Sequence, residues 1–377
     1  MPASPVPPAK KVLYYSIMII VLLVLFELIS RAYYYQHLSR HPVAFVQLMK
    51  DVKQGAGALL TKDTAKKRVE KAQEMLRPGL SKNESDEIGK EQTEANIGIY
   101  QPWVEFTFRD FHGKYVNVSD HIRRSVPGRS DDSAAQPFRI FFLGGSTMYG
   151  FNLTDEETIP SCFVRAYRQT HPNGRPIEVV NLGMPFYHSY QELIQLADLF
   201  FKDEKPDMVI MLDGLNDCLS VNDTYKRVPA FAIGTGDTYR FGPGGDQKEQ
   251  FQDFYELPPG MSVDSACKMA CGRYLENIRH AHDLTSLYHI PLYCFWQPVP
   301  YYNYPNRDND PFCTHVRYER FERIYPLVKT RGADLPYFFF LGDMLQEEKG
   351  LPFIDQIHYS PRFSQAVAEK MLSLISL

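Results

Sequence analysis

Five short apolar runs of strand length punctuate the chain: Phe138-Arg139-Ile140-Phe141-Phe142-Leu143, then 176–183, 207–213, 291–296 and 337–341. Each is rich in β-branched or aromatic residues and is bounded by glycine, proline, asparagine or aspartate, which marks strands. The stretches 154–168, 189–201, 267–289, 315–329 and 361–375 carry apolar residues at helical spacing instead. Strands alternating with helices predict an α/β chain, a parallel sheet with helices on both faces. Ahead of the first run, 103–108 alternates like a strand and 113–118 reads as its hairpin partner. The stretches 125–136 and 301–313 read as loops. Residues 219–262 are a long insertion with glycines and aromatics and no period, the signature of a lid or substrate loop.

The first hundred residues follow another pattern. Val12 to Ile29 is an apolar run of about 18 residues broken only by Ser16 and Glu27, the short end of a membrane-spanning length. Lys10-Lys11 precede it and Tyr33-Tyr34-Tyr35 follow it, as flanking charge and an interfacial aromatic belt. Leu28-Ile29-Ser30-Arg31-Ala32 lacks the small-x-small site of a cleaved signal peptide. The run therefore predicts an uncleaved signal anchor, with the N-terminus in the cytoplasm and the body of the protein outside it. Residues 37–96 are polar and strongly charged, with a helix ending near Pro78-Gly79, and read as a stalk or linker. The expected division is 1–36 tail and anchor, 37–96 stalk, and 97–377 folded domain.

A net charge of −4 with no basic block points away from nucleic acid. The 24 tyrosines, many in predicted loops, suit sugar contacts as well as ordinary packing. None of the six cysteines forms a C-x-x-C pair or a zinc-like spacing with histidine, so neither a metal nor an organic cofactor is expected. Cys267 and Cys271 share a helix face, which disfavours a bond between them. A bridge from either to Cys313 stays open.

The candidate chemistry sits where strands end. The first run breaks into Gly144-Gly145-Ser146-Thr147, a tight turn that presents a hydroxyl at the carboxyl end of a strand. A serine needs a base to become a nucleophile, and the base needs an orienting acid. His358 follows the last strand and opens a helix, and Asp355 lies three residues before it. Developing oxyanion charge needs donors; the N–H groups of Ser146 and Gly183 and the amide of Asn216 are the candidates. Each residue also has a plain structural reading. Ser146 and Asp355 suit helix caps, Gly183 a turn, Asn216-Asp217 an N-cap, and His358 a surface ring. All of them falling in order after successive strands favours the catalytic one.

Four blocks, Gly144-Gly145-Ser146-Thr147, Asn181-Leu182-Gly183, Gly214-Leu215-Asn216-Asp217 and Asp355-Gln356-Ile357-His358, resemble those of the SGNH (GDSL-type) hydrolases, over about residues 138–375. The resemblance implies a three-layer α/β/α flavodoxin-like fold and esterase chemistry. It implies Ser146, Asp355 and His358 as the triad, and Ser146, Gly183 and Asn216 as the oxyanion hole. Three departures are visible. Gly145 replaces the usual aspartate of Gly-Asp-Ser, as in a bacterial branch of the family. Phe186 stands where a second glycine is frequent in the second block. Met148 breaks the Gly-x-Ser-x-Gly elbow of the α/β-hydrolases.

The leading functional expectation is a membrane-anchored serine esterase removing acyl groups from a glycan or lipid. An O-acyltransferase on the same scaffold would use the same triad. A catalytically silent binding or assembly protein is the alternative from another class, and the intact residue set argues against it.

Overall fold

A computed structural model describes residues 71–377 apart from 73, 127–135, 220–238, 241–256, 258–259 and 314–318, together with the isolated helical positions 18, 21, 24, 25 and 28. The chain divides into two compact units, Met1–Glu70 and Lys71–Leu377. Apart from those five positions, the anchor run 12–29 lies outside the described residues, as does the stalk through 70. Among the described residues no helix is long and apolar enough to cross a membrane. Most of the insertion 219–262 also lies outside them.

The main sheet of the second unit has eight strands. Its strands in chain order are β3 (Phe111–His112), β4 (Asn117–Ser119), β5 (Ile122–Arg123), β6 (Phe138–Gly144), β7 (Ile177–Asn181), β8 (Met208–Asp213), β10 (Leu292–Trp296) and β11 (Phe338–Phe340). They lie in the order β11-β10-β8-β6-β7-β5-β4-β3. Neighbours from β11 to β7 are parallel, whereas β5, β4 and β3 extend the β7 edge antiparallel. The parallel strands thus run second-first-third-fourth-fifth in chain order, the flavodoxin-like arrangement. Every residue of β8 is buried, which is why its sequence is a near-continuous apolar run rather than an alternation.

Helices cover both faces. Phe141 and Leu143 of β6, Val209 and Met211 of β8, and Cys294 and Trp296 of β10 share one apolar cluster with the helices Ser189–Phe201 (α4), Val263–Ser286 (α6) and Glu319–Gly332 (α7). The alternate residue Phe142 meets Phe163 of the helix Ile159–Thr170 (α3), ring centroids 5.2 Å apart. Alternation along β6 thereby feeds two cores, and each large side chain so buried contributes about 1.5–3 kcal/mol. The C-terminal helix Pro361–Leu374 (α8) packs on α3.

One sequence expectation differs from the structure. The stretch 105–108 (β2) pairs with Ile97–Gln101 (β1), not with 113–118, and β1 also pairs with Tyr239–Arg240 (β9) in a separate small sheet. The chain turns between β1 and β2 at Trp103, which is exposed and left-handed at φ 73°, and β4 is released to the main sheet. All six cysteines are buried free thiols, so no bridge to Cys313 forms. Residues 71–96 group with the second unit. Lys82–Ala95 is a helix (α1) started by a capping box between Ser81 and Glu84. Its buried residues Ile88, Glu91, Gln92 and Ala95 form a helical stripe, but two of the four are polar. Glu91 accepts from the backbone N–H groups of Lys114, Tyr115 and Val116 at 2.8, 2.8 and 3.0 Å.

Candidate active site

Strand β6 lies where the connections reverse direction, and a crevice opens there at the carboxyl ends of the strands. It ends in Gly144, Gly145 caps the short helix Ser146–Tyr149 (α2), and Gly150 closes that helix in the left-handed region at φ 83°. Space explains two further glycines. A Cβ on Gly145 would stand 2.7 Å from Asn216 Nδ2, and one on Gly183 would stand 2.4 Å from the Tyr149 nitrogen. Either would push α2 away from the neighbouring strand ends.

The structure brings Ser146, His358 and Asp355 into one hydrogen-bonded chain across 212 residues of sequence: Ser146 Oγ lies 2.8 Å from His358 Nε2, and His358 Nδ1 lies 2.7 Å from Asp355 Oδ2. Ser146 and His358 are both buried. Asp355 Oδ1 accepts from the backbone N–H groups of Ile357 and His358 at 2.9 and 2.8 Å. Burial pushes the Asp355 carboxyl up, but the His358 ring and these hydrogen bonds outweigh it and hold the group below its ordinary value. An ionised Asp355 accepts only, so His358 Nδ1 carries the proton and Nε2 is free to accept from the Ser146 hydroxyl.

Asn216 lies in the helix Leu215–Leu219 (α5) after β8, and lines the same small pocket as Ser146, Tyr187 and Gln297. Its Nδ2 donates to the Tyr187 carbonyl at 2.6 Å; the amide has a second hydrogen. Gly183 is differently placed. Its N–H donates to Asn181 Oδ1 at 3.0 Å, and Asn181 Nδ2 donates to the Met148 carbonyl at 3.1 Å. The Asn-Leu-Gly block therefore ties β7 to α2, and the Gly183 N–H is committed to that tie. Phe186 adopts φ 68°, the left-handed backbone a glycine would take without strain.

Two neighbours of the triad were not singled out in the sequence. Asn152 Nδ2 donates to Asp355 Oδ2 at 2.6 Å, and the Phe151 ring stacks on His358 with centroids 4.7 Å apart. The signal available was an asparagine just after a Gly150 turn, a residue type that tolerates the left-handed φ of 63° found there.

A second acidic group lies on the far side of the Ser146 pocket. Glu192 of α4 and Asp213 of β8 are buried, and neither carboxylate accepts from an N–H or O–H group among the described residues. Burial pushes both carboxyls well up. The charge of Asp213 adds to this for Glu192, and that of Asp217 for Asp213. The two carboxyls interact directly, which together with burial favours their protonated forms. Asp217 Oδ1 instead accepts from Ser189 Oγ at 2.5 Å and Ser189 N at 3.3 Å, at the start of α4. Among the described residues no group of three or more His, Cys, Asp or Glu side chains could hold a metal ion.

No family model matches the chain, and no curated protein matches it. Solved structures similar to it include a gut microbial diltiazem-metabolizing enzyme, 16% identical over 64% of this chain at TM-score 0.37; the match spans 47% of that protein, about half its length. A carbohydrate acetylesterase family member from Sinorhizobium meliloti is 13% identical over 63% of this chain and 99% of its own, at TM-score 0.37. A lipase/acylhydrolase from Enterococcus faecalis is 14% identical over 62% and 93%, at TM-score 0.38.

Proposed function

We propose that the protein is a serine ester hydrolase of the SGNH type. The observation that carries this is the Ser146–His358–Asp355 chain, with contacts of 2.8 and 2.7 Å. His358 Nε2 takes the hydroxyl proton as Ser146 Oγ bonds to the ester carbonyl carbon. The carbonyl π pair moves to oxygen, where the Ser146 N–H at the head of α2 and the second amide hydrogen of Asn216 receive it. Collapse expels the alcohol, which takes the proton from His358 and leaves an acyl-serine. Water repeats the sequence and releases the acid. Gly183 would join the oxyanion donors only by letting go of Asn181. Hydrolysis of 4-nitrophenyl acetate by the parent, and its loss in Ser146→Ala with folding intact, tests the reading. Equal hydrolysis by both would remove it.

The substrate we infer is an O-acylated glycan or lipid, met on the extracytoplasmic side by an anchored enzyme. Support comes from the apolar run 12–29 with its lysine and tyrosine flanks. Full-length protein should sediment with membranes and resist extraction by carbonate. Recovery in the soluble fraction with residues 1–32 still attached would end this part of the proposal.

A further inference from the structure

The loop Gly150–Leu153, directly after the nucleophile helix, joins two parts of the chain that the triad alone does not connect. On one side it holds the triad. Asn152 Nδ2 reaches Asp355 Oδ2, the same oxygen that faces His358 Nδ1, and Phe151 lies flat on the imidazole. On the other side its backbone is clasped by residues that precede the first core strand. Arg77 donates to the Asn152 carbonyl at 2.8 Å and is itself fixed on Glu157, through Nε at 2.9 Å and its terminal nitrogen at 2.6 Å. Gln92 of α1 takes the Asn152 N–H at 3.3 Å and donates its own amide to the Leu153 carbonyl. Arg123, buried and paired with Asp155 at 3.1 Å, donates to the same carbonyl at 2.9 Å.

We propose that Asn152 is a positioning residue for hydrolysis, and that Arg77 and Gln92 act on the reaction through it. The proposal rests on the triad reading. Asp355 Oδ1 is fixed by two backbone N–H groups, and the Asn152 amide fixes the remaining freedom, the direction of Oδ2 toward the imidazole. It also takes up part of the charge on Oδ2. Without it that oxygen faces His358 alone, so the protonated imidazole is favoured and the base becomes available only at higher pH. Among the described residues, the charged and titratable groups around this pair are the Cys313 thiol and, one step out, the Arg77–Glu157 pair. The Cys313 thiol is pushed up mainly by burial and Asp310, and to a lesser degree by Asp355. Asn152 suits the place doubly, because its left-handed backbone presents the amide to Asp355 while its N–H and C=O face Gln92 and Arg77. A sequence segment with the composition of a linker is in this way part of the support of the catalytic acid.

The test is the rate at which a fluorophosphonate labels Ser146 in the full-length protein, followed against pH. Asn152→Gly keeps the backbone conformation and removes only the amide. It should lower the plateau rate by about 10- to 100-fold, the worth of a hydrogen bond to a charged group, and move the acid limb to higher pH. Asn152→Asp keeps the shape but sets a carboxylate against Asp355, and should move the limb further the same way. It reads the proposal independently if the glycine variant does not fold. Arg77→Ala should give a smaller shift of the same sign. Parent-like rates and limb in the Asn152 variants, with Ser146 still labelled, would overturn the proposal while leaving the triad reading intact. A loss of rate with an unmoved limb would reduce Asn152 to a structural role and also overturn it. A parent that is not labelled at Ser146 would overturn both.

Discussion

Acids lie beside Ser146 in two places, the half-buried Asp355 and the fully buried Glu192–Asp213 pair, and they are held in opposite ways. Asp355 accepts four hydrogen bonds, two from backbone N–H groups, one from Asn152 and one from His358, and its carboxyl is held below the ordinary value. Glu192 and Asp213 accept none from the described N–H and O–H groups, sit against each other, and are pushed well up. Burial acts on both sites in the same direction. The number of donors decides the outcome, because an unsolvated carboxylate either finds partners or keeps its proton. One site thus favours a carboxylate beside an imidazole, and the other favours the protonated form of two carboxyls packed beside the Ser146 pocket.

The sharpest way to break this comparison is to remove one charge from each side. Asp355→Asn should lower kcat for 4-nitrophenyl acetate by about 10⁴-fold, since a carboxamide favours the wrong imidazole tautomer. Asp213→Asn removes a carboxyl that burial pushes well up, and should leave kcat within about tenfold of the parent, a change of less than 1.4 kcal/mol in the barrier. Equal losses in the two variants would erase the distinction.

Between the two acids stands Asn216. Asn216→Asp should fold about as well as the parent, yet lose about 10²–10³-fold in kcat with KM little changed, because a carboxylate repels the oxyanion that the amide receives. Near-normal turnover would take Asn216 out of the chemistry and leave it as the tie to Tyr187.

The smallest effect is on stability. A carboxyl whose folded value is raised makes the protein lose stability as pH climbs from the unfolded value toward the folded one. For Asp355 the sign is reversed: its contribution is present above the unfolded value and is lost as pH falls through the folded one. Glu192→Gln should therefore raise Tm at pH 8 by more than it does at pH 5. A substitution that lowers Tm equally at both would mean that Glu192 is ionised and paired after all.

The legibility of these features in the sequence follows from their chemistry. The strands β6, β7, β8 and β10 were readable within a residue or two, because each is a dense apolar run ended by glycine or a polar residue. Ser146 and Asn216 stood out because each follows an apolar strand directly, and Asp355 and His358 because they lie three residues apart ahead of the last helix. Helix α1 was not, because half of its buried stripe is Glu91 and Gln92, which a hydrophobic pattern counts as surface. Asn152 was not, because its partner lies 203 positions away and the local sequence shows only a turn. Gly183 was assigned an oxyanion role from its block, whereas its N–H is taken by Asn181 two positions before it. The pairing of β2 was missed because 113–118 has the same alternation as a true partner, and the left-handed turn at Trp103 that selects β1 carries no glycine.

The central claim is that Ser146 is the nucleophile, made so by His358 acting as base and oriented by Asp355. Mass-spectrometric mapping of the fluorophosphonate adduct, in the parent and in Asp355→Asn across pH, tests it most directly. The account predicts one adduct, on Ser146, forming at a rate that rises with pH through a single ionisation and collapses in Asp355→Asn. An adduct on another serine, or a Ser146 adduct forming equally fast in the two proteins, would contradict it.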